Sequence, residues 1–108
     1  MQKLNQSYIK FVVKKALDED LKPRGDITTN LIKFKNKKAK AQIVAKQDGI
    51  IAGLDFCKTA FKLVGKETIF ISKVKDGAKV KKNKVIAEIK AKTKTILIAE
   101  RTALNFLN

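Results

Sequence analysis

Two arginines stand among the 25 basic residues of this 108-residue chain, and one of them, Arg101, falls in the apolar run "AERTALNFLN". A guanidinium is a planar, permanently charged fork that grips a carboxylate at two points, which an ammonium cannot copy. On a helix, Arg101 has Leu97, Ile98, Leu104 and Asn105 as neighbours on its own face. A cation there either runs along the apolar surface to solvent or pairs with an anion, and that anion is an outside ligand or one of the chain's own ten carboxylates. The second arginine, Arg24, sits beside Gly25 and Asp26 and reads as a surface or loop-pinning residue.

Little else in the chain offers reactive chemistry. With no histidine and one cysteine, neither a nucleophile–base pair nor a zinc site on the usual ligands can be assembled, and no internal disulfide is possible. Cys57 lies in an apolar helical stripe and reads as a small buried hydrophobe. The segments "DGIIAG" and "KDGAKV" lack the spacing of a phosphate-cradling loop and read as turns.

The elements that must position these residues follow from periodicity. From Asn5 to about Leu17, Tyr8, Ile9, Val12, Val13, Ala16 and Leu17 recur at helical spacing, with Asn5 or Ser7 as cap. "DEDLKPRGDITTN" then reads as a structured loop, in which Asp26, Thr28 and Thr29 favour a short turn. "KAKAQIVAK", residues 38–46, alternates as a half-buried strand with Val44 as the exception. A second amphipathic helix covers 54–64 and ends at Gly65. Strands are expected at "TIFISKV" and "KVIAEIKA" on either side of an Asp76-Gly77 turn, and Thr95 is the expected cap of a last helix beginning "ILIAERTALNFLN". That helix is apolar nearly all round, so it is expected to be covered by further protein. The order implies an α+β fold, an open sandwich with a small, mostly antiparallel sheet covered by helices. One ordinary domain accounts for the length, without repeat, low-complexity segment or linker.

The formal charge of +15 favours anionic partners of any kind, although a lysine-rich solvated surface explains most of it. Nucleic acid and membrane are not the expected partners: Phe34, Phe56, Phe61 and Phe70 fall mostly on inferred buried faces, and no run approaches a membrane span. The expected compartment is the cytoplasm. A biotinyl- or lipoyl-like carrier is the rival from another class, since "KVKDGAKVKKNKVIAEIK" has the look of a carrier hairpin; the helix at 54–64 and the lack of a methionine beside a candidate lysine speak against it.

Taken in order, "LDEDL", "RGDITT", "DGIIAG" and "AERTALNFL" closely resemble the amino-terminal part of quinolinate phosphoribosyltransferase, the carboxylating nicotinate-nucleotide pyrophosphorylase, from about Val12 to Asn108. The resemblance implies an enzyme that converts quinolinate and phosphoribosyl pyrophosphate to nicotinate mononucleotide, pyrophosphate and carbon dioxide in NAD synthesis. It implies residues 1–108 as the amino-terminal sandwich of a homodimer, with the catalytic barrel missing from this polypeptide. The 108 residues alone are then expected to be inactive, to hold no catalytic residue or metal, and to leave magnesium, with phosphoribosyl pyrophosphate, to the complete enzyme. By motif match, Arg101 is the arginine that contacts a quinolinate carboxylate in the neighbouring subunit's site. Glu100 and Asn105 match the motif too and are assigned to local structure. The chain departs from the family just before the last helix, where an arginine is common and this sequence has Lys92 and Lys94.

Overall fold

The computed structural model describes residues 5–19, 27–35 and 37–107. Arg24 and most of the "DEDLKPRGD" segment therefore lie outside the described residues. In chain order the elements are α1 (Gln6–Glu19), β1 (Ile27–Lys35), β2 (Lys38–Ala45), β3 (Gly49–Ile50), α2 (Leu54–Val64), β4 (Ile69–Ser72), β5 (Lys79–Val80), β6 (Val85–Lys92) and α3 (Thr93–Asn105). Four strands form one antiparallel sheet in the order β1-β2-β6-β4, and β3 pairs with β5 in a separate two-stranded ribbon.

The helices cover one face of the four-stranded sheet. Alternation along β2 and β6 sends Ala39, Ala41, Ile43, Ala87, Ile89 and Ala91 into the core, where Phe61 of α2, Ile9 and Val13 of α1, and Ile96 and Ala99 of α3 meet them. The small alanines on the strands let the helix layer approach closely, while the larger helical side chains fill the space. The opposite face carries Lys40, Lys90, Ile69 and Ile71, all exposed. This is the expected open α/β sandwich.

Several expectations hold, with local reasons. The Ser7 N–H donates to Asn5 Oδ1 at 2.7 Å, so Asn5 is the cap of α1. Helix α2 runs over the expected residues and closes where the Gly65 N–H donates to the Phe61 carbonyl at 2.9 Å. The Val44 exception has a cause: Ile43 pairs with Ala87 but Val44 with Val85, so Ile86 is an extra residue opposite the gap. That bulge breaks the period of two and lets Ile43, Val44 and Ala45 all be buried.

Three expectations need correction. Thr28 and Thr29 do not start a turn; they belong to β1, an edge strand whose own register slips between Leu31 and Lys33. Thr95 is not the cap of the last helix, which begins at Thr93 with Lys92 as N-cap, so Thr95 lies inside the first turn and is buried. Nor is α3 left bare all round: Ile96, Ala99, Thr102, Ala103 and Leu104 are buried within the chain, and the large apolar side chains it leaves exposed are Leu97 and Ile98.

Candidate functional site

Helix α3 divides its residues between two faces. Lys94, Leu97, Ile98 and Arg101 share the solvent side, with Leu97 57% and Ile98 52% exposed. Lys94 and Arg101 lie seven residues apart, about 10 Å along the axis at 1.5 Å per residue, with the two apolar side chains between them. Within "ERT", Glu100 is half-buried, Arg101 is exposed and Thr102 is buried. The guanidinium is thus the member of that triplet turned outward, and it also has an interaction of its own within the chain. Of the neighbours expected from helical spacing, Leu97 and Ile98 share its exposed surface, Leu104 turns into the core and Asn105 is half-buried. Burial pushes the Glu100 carboxyl above its ordinary range.

Both ends of α3 are tied down. At the start, Thr95 Oγ1 donates to Glu67 Oε1 at 3.2 Å, and the Thr93 N–H donates to the Lys37 carbonyl at 2.8 Å. The Glu67 carboxyl is held below its ordinary range, first by its own backbone N–H and further by the Thr95 hydroxyl and by Lys92. Gly65 makes room for this contact, since a Cβ there would come within 2.5 Å of Thr95 Oγ1 and 2.7 Å of Glu67 Oε1.

At the far end, the Phe106 ring stacks on Phe56 of α2 with centroids 5.1 Å apart. Gly53 adopts φ +87°, and a Cβ at that position would fall on the Phe106 carbonyl oxygen. The last residue of "DGIIAG" and the end of "AERTALNFL" are therefore one contact, which explains why the two segments go together.

The two Asp-Gly sites are structural as well. Asp76 Oδ1 accepts from the Leu54 N–H at 3.1 Å and so caps α2 from a distant turn, and Asp48 Oδ1 accepts from the Lys82 N–H at 2.8 Å. The segment that looked like a carrier hairpin is divided: Lys79–Val80 pairs with β3, whereas Val85–Lys92 enters the larger sheet. Cys57 is fully buried and burial pushes its thiol far up, so it is no nucleophile at neutral pH. Phe61 is buried, and Phe56 and Phe70 pack against the core, so none forms an exposed stacking platform. Among the described residues there is no group of three or more carboxylates or thiols able to hold a metal, and no helix is long and apolar enough to cross a membrane.

Residues 26–108 match the sequence profile of the quinolinate phosphoribosyl transferase N-terminal domain. The chain belongs to that family. A probable nicotinate-nucleotide pyrophosphorylase (carboxylating) of Methanocaldococcus jannaschii is 40% identical over 103 residues, covering 94% of this chain and 34% of the relative. Quinolinate phosphoribosyltransferase (decarboxylating) 1b of Nicotiana tabacum is 33% identical over 99 residues, covering 92% of this chain and 28% of the relative. Among solved structures, NadC from Streptococcus pyogenes superposes with a TM-score of 0.78 at 29% identity, over 97% of this chain and 37% of that one. The chain thus spans about a third of the length of these proteins, and it corresponds to the quinolinate phosphoribosyl transferase N-terminal domain in sequence and in fold.

Sequence reasoning placed Arg101 on a helix face but missed a second feature of this domain. Lys38 and Lys40 of β2 are far from Lys92 and Lys90 of β6 in the chain and become their neighbours through strand register. Their every-other-residue spacing was the available signal.

Proposed function

We propose that residues 1–108 act as the amino-terminal domain of a quinolinate phosphoribosyltransferase. The complete enzyme transfers the phosphoribosyl group of phosphoribosyl pyrophosphate to the quinolinate nitrogen, and pyrophosphate and carbon dioxide leave as nicotinate mononucleotide forms. This domain contributes binding, not bond-making: Arg101, presented on the solvent face of α3, reaches a quinolinate carboxylate in the site of the neighbouring subunit of a homodimer. The observation that carries this reading is the orientation of "ERT", in which the arginine faces outward while Glu100 and Thr102 serve the packing of the helix.

Adjacent carboxylates on a planar ring suit a bidentate guanidinium, which fixes the ring's orientation as well as holding it. Exposed Leu97 and Ile98 beside Arg101 supply an apolar surround that partner contact would bury, lowering the local dielectric and strengthening the ion pair. Magnesium accompanies phosphoribosyl pyrophosphate on the barrel of the complete enzyme, and the reaction takes place in the cytoplasm. The test is Arg101→Lys in the complete enzyme. If one bidentate contact worth about 1.4 kcal/mol is lost, the Michaelis constant for quinolinate rises about tenfold, with a smaller change for phosphoribosyl pyrophosphate. Unchanged kinetics would remove Arg101 from the site.

A further inference from the structure

Helices α1 and α2 lie side by side over the sheet and leave between them an open groove of about 540 Å³, inside the range of small-molecule sites, about 300–1,000 Å³. Lys10 of α1, Lys58 and Lys62 of α2 and Lys66 of the turn after α2 line it, all of them exposed. Asp55 joins them, so among the described residues the lining carries four positive charges against one negative. Among the described residues, none of the four lysines is in an ion pair with a carboxylate.

Ordinary explanations cover part of this arrangement. Basic residues at the carboxyl end of a helix offset its dipole, which accounts for Lys62 and Lys66 but not for Lys58 in mid-helix or Lys10 on the other wall. A lysine-rich surface supplies cations everywhere, yet Lys58 and Lys62 stand one turn apart, about 6 Å along the axis, where like charges destabilise a helix. The charges are also ordered along α2. Asp55 stands in the first turn, Lys58 and Lys62 follow toward the carboxyl end, and Lys66 lies just beyond it. Thr59 adds a hydroxyl between the two ends.

We infer that the α1–α2 groove binds a small diphosphate ester whose organic part is a hydroxyl-bearing sugar. A diphosphate monoester carries about three negative charges at neutral pH, which balances the net charge of the lining. Lysines are flexible point charges that suit clustered phosphoryl oxygens, whereas a planar carboxylate calls for the arginine fork, and the described lining holds no arginine. Asp55 repels phosphate, so the diphosphate belongs at the lysine end and the Asp55 end takes hydroxyl groups, which donate to a carboxylate. A bare inorganic anion would leave that end unused. A nucleic-acid strand calls for aromatic stacking surfaces along a basic track, and the described lining holds no aromatic side chain. The groove shares no lining residue with α3 and the inference stands whether or not Arg101 binds quinolinate.

The test is a titration of the 108-residue chain with adenosine diphosphate at near-physiological salt, followed by backbone amide NMR, with inorganic pyrophosphate, citrate and a short single-stranded DNA as the other probes. Saturable shifts centred on residues 6–10 and 55–66 are expected, with adenosine diphosphate bound more tightly than the other three. Lys58→Gln with Lys62→Gln should weaken its binding by about tenfold or more. The same charge removed by Lys40→Gln with Lys90→Gln, on the open face of the sheet, should change it by less than about twofold. Asp55→Asn should lower the ratio of adenosine diphosphate to pyrophosphate affinity severalfold, a ratio in which the general effect of charge on anion binding largely cancels. Absence of saturable shifts, shifts centred on α3 or the open sheet face, equal losses in the two double variants, a ratio unmoved by Asp55→Asn, or tighter binding of pyrophosphate, citrate or DNA would overturn the assignment. Because localisation and probe preference are read from the unsubstituted chain, the assignment can be refuted even where a variant folds poorly.

Discussion

The contact between Gly53 and Phe106 sets the separation between the start of α2 and the end of α3, and three glycine-to-alanine changes isolate its cost. Gly53 combines φ +87° with a Cβ position occupied by the Phe106 carbonyl oxygen; Gly77 has φ +91° with nothing within 4 Å; Gly49 has neither a positive φ nor a close neighbour. A left-handed residue with a Cβ costs about 1–2 kcal/mol, partly offset by about 0.4–1 kcal/mol from the stiffer unfolded chain. Gly77→Ala should therefore destabilise by about 1 kcal/mol, and Gly49→Ala should leave stability within about 0.5 kcal/mol. Gly53→Ala adds the displacement of a backbone carbonyl, about 1–3 kcal/mol by analogy with overpacked cores, for a total of about 2–4 kcal/mol. Urea unfolding followed by circular dichroism measures all three, since a loss of 2–4 kcal/mol moves the midpoint by about 1–2 M at a typical slope. Were Gly53→Ala to cost no more than Gly77→Ala, the close approach to Phe106 would not constrain the helix pair, and the account of the "DGIIAG" and "NFL" pairing would fail.

Other perturbations probe separate parts of the structure. Asp76→Ala removes the carboxylate that accepts from the Leu54 N–H, and should cost about 1 kcal/mol in the same urea assay, with Asp76→Asn recovering most of it. Glu67 has its carboxyl held below the ordinary 4.5, so the unfolded chain takes up its proton first as pH falls. Its stabilising contribution is full above that value and is lost as pH drops through the folded-state value; Glu67→Gln should flatten this acid limb of a stability-versus-pH curve. Glu100 is shifted the other way, so it favours the folded state less as pH rises past 4.5, and Glu100→Gln should raise thermal stability at neutral pH if packing is kept. Native Cys57 should resist iodoacetamide at neutral pH and react within the same interval once urea unfolds the chain; rapid native labelling would contradict its burial.

What could be read from residue order was what has a clean period. Helices α1 and α2, strands β2 and β6 and the Asp76-Gly77 turn each advertise themselves by spacing or turn chemistry. Strand β1 did not, because its first half is the polar run Thr28, Thr29 and Asn30 behind Ile27, shortly after a proline and a glycine, and its register shift between Leu31 and Lys33 spoils the alternation. The start of α3 was displaced to Thr95 because a threonine there suits a cap, whereas the structure uses its hydroxyl sideways on Glu67. Long-range capping of α2 by Asp76 and the seat of Gly53 on Phe106 depend on tertiary placement, which no local pattern carries. For the site, the type of Arg101 and its helix were legible, and its outward direction follows from burial of Ile96, Ala99, Ala103 and Leu107 on the other side. The juxtaposition of Lys38 with Lys92 and of Lys40 with Lys90 needed the register of β2 and β6 before it could be seen.

The central claim, that Arg101 serves the site of a neighbouring subunit, is tested most directly by subunit mixing in the complete enzyme. One inactive parent carries Arg101→Ala; the other keeps Arg101 and has a disabled barrel. Because the heterodimer pairs one intact barrel with one intact Arg101 across the interface, mixing and reassociation should restore quinolinate turnover that neither parent shows. Heterodimers that form and remain inactive would contradict the claim.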